Sequence, residues 1–352
     1  MMKQTWKKAF SLTLALVFTL ALVSCGGGGT DPTPGAASHT PGAEEDKILI
    51  GWALKTLQEE RWQKEVDTME KVAAEMGVEF VCQTANGDSQ LQITQIENMV
   101  TQGVDVLIIT AADAASLTST VEAAHSAGVK ILCYDQQFIN AYADAYVGTS
   151  DVPLGHAIAK ILVDENVSGN VVILSGDQAS GQCIPDMFTG MTEEIAELDV
   201  EVVMHQYCKE WKSEEALAYT ENALSQYNND IAAIIANNDG IASGAIQALE
   251  AQGLDGKVVV TGMDSEVTAL QRIAAGTQSS TLYRDLNKFA TKALETAVKL
   301  AKGEEVVGEQ TANFGVNDCP WVLLDVTQVT KDNLDAIFID TGIYTHEEIY
   351  GS

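Results

Sequence analysis

Several strand-like runs of this sequence end in polar residues that could work as a set. KILIGWAL is followed by Lys55 and then by Glu60, Arg61 and Trp62. VKILCY leads into Asp135, Gln136 and Gln137, and VEVVMHQ into Tyr207, Lys209 and Trp211. IAAIIA precedes Asn237, Asn238 and Asp239, VVVTGM precedes Asp264, and STLY precedes Arg284 and Asp285. Carboxylates only accept hydrogen bonds, guanidinium and ammonium groups only donate, and amides do both. A neutral polyhydroxylated ligand needs this mixture, since each of its hydroxyls donates and accepts while its C–H faces pack on indole rings. Catalysis would need other groups. No nucleophile stands beside a base, the five histidines form no motif, and Asp135 with Asp264 is the one carboxylate pair that could flank a bond. No enzyme, metal site or cofactor is expected.

Taken singly, each residue has a plainer role. Trp62 could belong to a core, Arg61 could pair with a surface acid, and Asp264 or Asn238 could cap a helix. Asp239 is expected to cap the helix that starts at Ile241. Their recurrence at the carboxyl ends of successive strands is what marks them, because ligands of open parallel α/β sheets sit there.

The elements that must position these residues alternate from Lys47 onward. Short β-branched runs are separated by amphipathic stretches such as Trp62 to Met76, with apolar Val66, Met69, Val72, Ala73 and Met76, and Ile241 to Ala251. Gly77, Gly103, Gly128 and Gly253 fall just after helices, where a left-handed cap is wanted. The pattern predicts an α/β protein of two doubly wound parallel sheets. A break near YVGTSDVPLGHA separates them. The first lobe is expected to take residues 47–150 plus 284–311, and the second 151–283 plus 312–345. The tail after Gly303 loses the alternation and is expected to run between lobes.

The N-terminus sets the compartment. Lys3, Lys7 and Lys8 precede an apolar run from Ala9 to Val23, which reads as a signal peptide over residues 1–24. Leu22-Val23-Ser24-Cys25 is similar to the bacterial lipobox, so Cys25 is expected to be lipidated and to tether the protein outside the cytoplasm. Residues 25–46, rich in Gly, Pro, Ser and Thr, read as a flexible linker. The four consecutive glycines are no phosphate loop, since neither a preceding strand nor a following Gly-Lys-Ser/Thr accompanies them. The chain carries a net charge of −30. That excludes nucleic acid as a partner. Beyond Cys25 there are five cysteines with no CxxC spacing. Cys82 and Cys133 read as buried small hydrophobes, and a Cys183–Cys208 bridge stays open.

The stretches ERWQKE and QTANGDSQLQITQIENMVTQGVDVLII resemble the D-xylose-binding proteins, as do IIANNDGIASGAIQALEAQGLDGKVVVTGMDSE and RIAAGTQSSTLYRD. These are periplasmic type I sugar-binding proteins that feed ABC importers. The resemblance runs from about Lys47 to Tyr344. It implies two Rossmann-like lobes joined by a three-segment hinge, closing on a monosaccharide. It implies that Arg61 and Asp135 hold hydroxyls from the first lobe, Asn238 and Asp264 from the second, and that Arg284 stands at a crossover where the family has lysine. Trp62 and Trp211 would face opposite sides of the ring. Two positions depart from the family. Gln136 replaces an arginine and cannot make a two-pronged charged contact. The loop GDQASGQCIPD lacks paired asparagines, with Gln182 the nearest substitute. The implied partners are an ABC permease and its ATPase, reached by a monomeric, membrane-anchored receptor. A sensory role, in which the liganded form docks on a chemoreceptor or sensor kinase, is the alternative.

Overall fold

The computed structural model describes residues 47–351. The expected signal peptide, the lipidated Cys25 and the whole of the linker lie outside the described residues.

The first lobe begins with β1 (Leu49–Leu54), α1 (Glu60–Met76), β2 (Glu79–Thr84), α2 (Ser89–Gln102), β3 (Val106–Ile109), α3 (Thr118–Ser126), β4 (Lys130–Tyr134) and β5 (Ala145–Gly148). Strand order is β2-β1-β3-β4-β5, all parallel. Side chains alternate across β1, so Ile50, Trp52 and Leu54 enter one core with Trp62 and Met69, while Ala53 enters the opposite one with Leu107 and Ile109. Burial on both faces explains why these strands read as unbroken apolar runs.

The second lobe comprises α4 (Asp151–Asp164), β6 (Gly169–Ser175), α5 (Cys183–Glu194), β7 (Val200–Tyr207), α6 (Ser213–Gln226), β8 (Ala233–Ala236), α7 (Asp239–Ala251), β9 (Val259–Val260), α8 (Val267–Ala275) and β10 (Thr281–Tyr283). Its parallel sheet runs β7-β6-β8-β9. Helices α4 and α5 cross in contact because Gly155 and Gly190 carry no side chain. A Cβ there would stand 2.1 Å from the Met187 carbonyl oxygen or 2.0 Å from that of Val152. The cap of α7 is Asn238, whose Oδ1 accepts from Ile241 N at 2.9 Å, and not Asp239. Asp239 is buried in the first turn, where its carboxylate accepts from Gln278 (2.8 Å), Thr281 (2.9 Å) and the Glu266 amide (3.0 Å).

The chain then returns. Helix α9 (Leu286–Lys302) packs Phe289, Ala293 and Leu294 into the first core. Strand β11 (Gln310–Asn313) pairs antiparallel with β12 (Asp318–Leu323), and β12 lies parallel to β5 with Trp321 opposite Tyr146. The expected boundary at 311/312 is thereby corrected: residues 312–323 complete the first sheet. Strand β11 is the edge of that sheet, polar and mostly exposed, and β12 inside it is interrupted by Asp318 and Pro320, so neither carries the unbroken apolar run of the other inner strands. Strand β13 (Thr327–Val329) pairs with β10. The final segment, ending in α10 (His346–Tyr350), places Leu334, Phe338 and Ile349 against Leu270 and Ile273. The chain thus crosses between lobes three times: after β5, after β10 and after β12.

All five described cysteines are free thiols, Cys183 and Cys208 included. Among the described residues no helix is long and apolar enough to cross a membrane, and no cluster of His, Cys, Asp and Glu could hold a metal ion.

Candidate functional site

The carboxyl ends of β1, β4, β8 and β9 meet with the loop after β7 around one cavity. Arg61, Trp62, Asp135, Gln136, Trp211, Asn238, Asp264 and Arg284 all line it. Its heart is a set of charges spanning both lobes. Arg61 donates to Glu65 from Nε (2.9 Å) and Nη2 (2.7 Å), and to Asp135 at 3.1 Å. Arg284 donates to the same Asp135 oxygen at 2.6 Å. Both guanidinium groups also approach Asp264 of the second lobe, at 3.6 Å and 3.5 Å. Behind Arg61, the Tyr134 hydroxyl donates to the second oxygen of Glu65 at 2.6 Å.

Burial acts on the three carboxyls of this set. It pushes Asp135 up, but Arg61, Arg284 and Lys55 outweigh it and hold that carboxyl at about 2. For Asp264 burial wins over the same two arginines, and its carboxyl is raised. Burial likewise raises Glu65, against the pull of Arg61. Asp135 is therefore a firm anion, whereas Asp264 holds its proton more readily than a free carboxylate.

Three of the site residues also carry backbone strain. Asp135 (φ 64°), Trp211 (φ 57°) and Asp264 (φ 99°) all adopt the left-handed region that side-chain-bearing residues avoid. Each costs on the order of 1–3 kcal/mol, and such strain clusters at ligand sites.

Gln136 is buried, with its amide orientation assigned from its partners. It donates to the Ala111 carbonyl at 3.0 Å and accepts from Ser180 Oγ (3.2 Å) and Lys55 Nζ (2.9 Å). Gln137 crosses to the second lobe and donates to Asp151 at 2.6 Å. The two indoles face a common space: Lys55 Nζ lies 5.3 Å from the Trp62 ring centre and 5.1 Å from that of Trp211. Trp211 is anchored by a hydrogen bond from its Nε1 to Ser180 Oγ at 3.0 Å. Asn238 lines the cavity while its Oδ1 caps α7.

Gln182 is the exception. It is exposed on the far side of the α5 start and donates to Asp186 at 2.9 Å. Cys183 and Met187, one turn apart on the same helix, take the place in the wall expected for it. Other polar residues in the wall, and behind it, lie away from the strand ends. Glu65 lies on α1 four residues after Arg61, a spacing that could have revealed the pair. Asp151 opens α4, and Glu59 precedes α1, where only a helix-start signal was visible.

The chain matches the family profile described as "Periplasmic binding protein domain" over residues 50–305. It is 37% identical over 311 residues to the D-xylose-binding periplasmic protein of Haemophilus influenzae, covering 88% of this chain and 94% of that one. The protein of that name from Escherichia coli K12 is 37% identical over 312 residues, covering 87% and 94%. Among solved structures, an ABC transporter periplasmic solute-binding protein from Actinobacillus succinogenes, with bound D-allose, superposes with a TM-score of 0.74. It is 26% identical and spans 82% of this chain and all of the other. By its profile match and by its identity along nearly the full length of these relatives, the chain belongs to the periplasmic binding protein family, whose members bind solutes rather than transform them.

Proposed function

We propose that this protein is a lipid-anchored receptor that clamps a monosaccharide between its lobes and delivers it to an ABC permease and its ATPase. The ligand is a xylose-like pentose or a related aldose. One observation carries the reading: carboxylates from the two lobes, Asp135 and Asp264, converge on Arg61 and Arg284 beside two indoles facing one space. Sugar hydroxyls satisfy such groups with charge-assisted hydrogen bonds, and the ring faces stack on the tryptophans. The names and bound ligands of the relatives point the same way. Cys25 supplies the membrane anchor, and the protein acts as a monomer.

The scale is reasonable. Micromolar affinity needs about 8 kcal/mol, within the ceiling for a ligand of about ten heavy atoms. The inner cavity is only about 30 Å³, so ring entry requires lobe opening or withdrawal of the flexible Lys55 chain. A thermal-shift panel of pentoses, hexoses and polyols on the protein lacking residues 1–25 tests the reading. At least one monosaccharide is expected to raise the melting temperature by several degrees at a large excess over its Kd; a panel with no response refutes it.

A further inference from the structure

Lys55 and Glu59 form a pair that the ring-binding account leaves unused. Both are more than nine-tenths buried, and both line the inner cavity. Lys55 Nζ stands 3.5 Å from Glu59 Oε1 and 2.9 Å from the Gln136 amide oxygen. The other Glu59 oxygen is buried and has no hydrogen-bond partner. An orphaned carboxylate oxygen of this kind is costly unless something donates to it.

Their position is equally distinctive. Lys55, Glu59 and Trp211 are the residues shared by the inner cavity and an outer one of about 280 Å³. The outer wall is polar, with Gln58, Asn86, Asp177 and Ser180 among its residues. A sugar ring cannot share the space between the indoles with the Lys55 ammonium, whereas the outer cavity has room for that flexible chain. Withdrawn there, the ammonium still reaches Glu59, four residues along the same segment.

We propose that Lys55 and Glu59 form a second polar subsite at this junction, which reads an exocyclic hydroxymethyl group on the bound ring. Lys55 donates to that hydroxyl, and the hydroxyl donates to the unpartnered oxygen of Glu59. The ligand class is then a hexopyranose in preference to a pentopyranose. This rests on the sugar-receptor reading above and narrows it.

Calorimetric titration with D-glucose, D-xylose and 6-deoxy-D-glucose tests the proposal, since the second lacks the hydroxymethyl group and the third lacks only its hydroxyl. The unaltered protein is expected to bind D-glucose about tenfold or more tightly than either, the worth of one charge-assisted hydrogen bond. In Lys55→Met and in the milder Glu59→Gln the preference should shrink to within about threefold. Equal or tighter binding of D-xylose by the unaltered protein overturns the subsite and leaves the sugar receptor standing. So does a glucose preference that survives in both variants. Failure to bind these or any other monosaccharide defeats both readings, and the panel described above separates that outcome from the first two.

Discussion

In the first lobe the polar wall of the cavity is already bound to itself. Glu65 takes two hydrogen bonds from Arg61 on one oxygen and one from Tyr134 on the other, and Arg61 passes on to Asp135. In the second lobe the corresponding groups are spare or spent elsewhere. Asp264 Oδ1 is buried without a hydrogen-bond partner, reaching its arginines only at ion-pair distance. Asn238 gives its oxygen to its own helix, and Met187, Met263, Leu154 and Cys183 fill much of the remaining wall. The first lobe therefore holds its donors in a fixed geometry. The second has hydrogen-bonding capacity that a ligand can complete. Such a division suits a hinge that closes on a ligand seated in one lobe, because closure then gains bonds the open form lacks.

The contrast can be broken most severely in the first lobe. Replacing Glu65 with alanine leaves Arg61 short of its main partner in a buried setting, and should cost about 3 kcal/mol of folding stability. Urea unfolding monitored by tryptophan fluorescence measures it. A loss below about 1 kcal/mol would mean that the network is not what holds the first-lobe wall.

The pH dependence sharpens the comparison at the crossing. Burial first, and the charge of Asp135 second, raise the Asp151 carboxyl to about 7. The folded protein thus keeps a proton that the unfolded chain releases near its ordinary value of about 4. Asp151 consequently takes away stability as pH rises from about 4 to about 7. Glu266, raised to about 7 by burial and by Asp264, acts in the same direction. Differential scanning calorimetry should find Asp151→Asn gaining on the unaltered protein between about pH 5 and pH 8. Parallel curves would show that Asp151 ionises freely in the fold.

At the bottom of the scale stands Gln182. Exposed and bonded only to Asp186, it should tolerate alanine with sugar affinity within about twofold and stability within about 0.5 kcal/mol. A larger loss of affinity in a titration would bring the α5 start back into the site.

How far the sequence could be read followed from burial. The inner strands were legible because both of their faces are covered, which forces unbroken apolar runs such as VLII of β3. Strand β11 was not, because an edge strand such as QTAN keeps polar residues on its open side, and β12 is a short run broken by Pro320 outside the strand–helix alternation. Most of the site was legible because parallel strands deliver their carboxyl ends to one place. Gln182 failed because position near a helix start does not say which way the side chain faces. Asp239 failed by one residue, since Asn and Asp cap helices equally well and tertiary partners took the acid. Glu65 and Asp151 were hidden for a related reason. A carboxylate on a helix looks like a solvated face until a buried partner is seen. Gln137, named with Asp135 and Gln136 at one strand end, owes its place to Asp151 across the crossing.

The most direct test of a sugar held between the lobes is calorimetric titration of the best-binding monosaccharide into the unaltered protein and into Asp264→Ala. The second-lobe carboxylate meets Arg61 and Arg284 only at ion-pair distance, with Oδ1 left without a hydrogen bond, and a ligand hydroxyl is its natural partner. Loss of that partner should weaken binding at least tenfold, about 1.5–3 kcal/mol for a charge-assisted bond. Equal affinity in the two proteins would contradict a ligand clamped across this cavity.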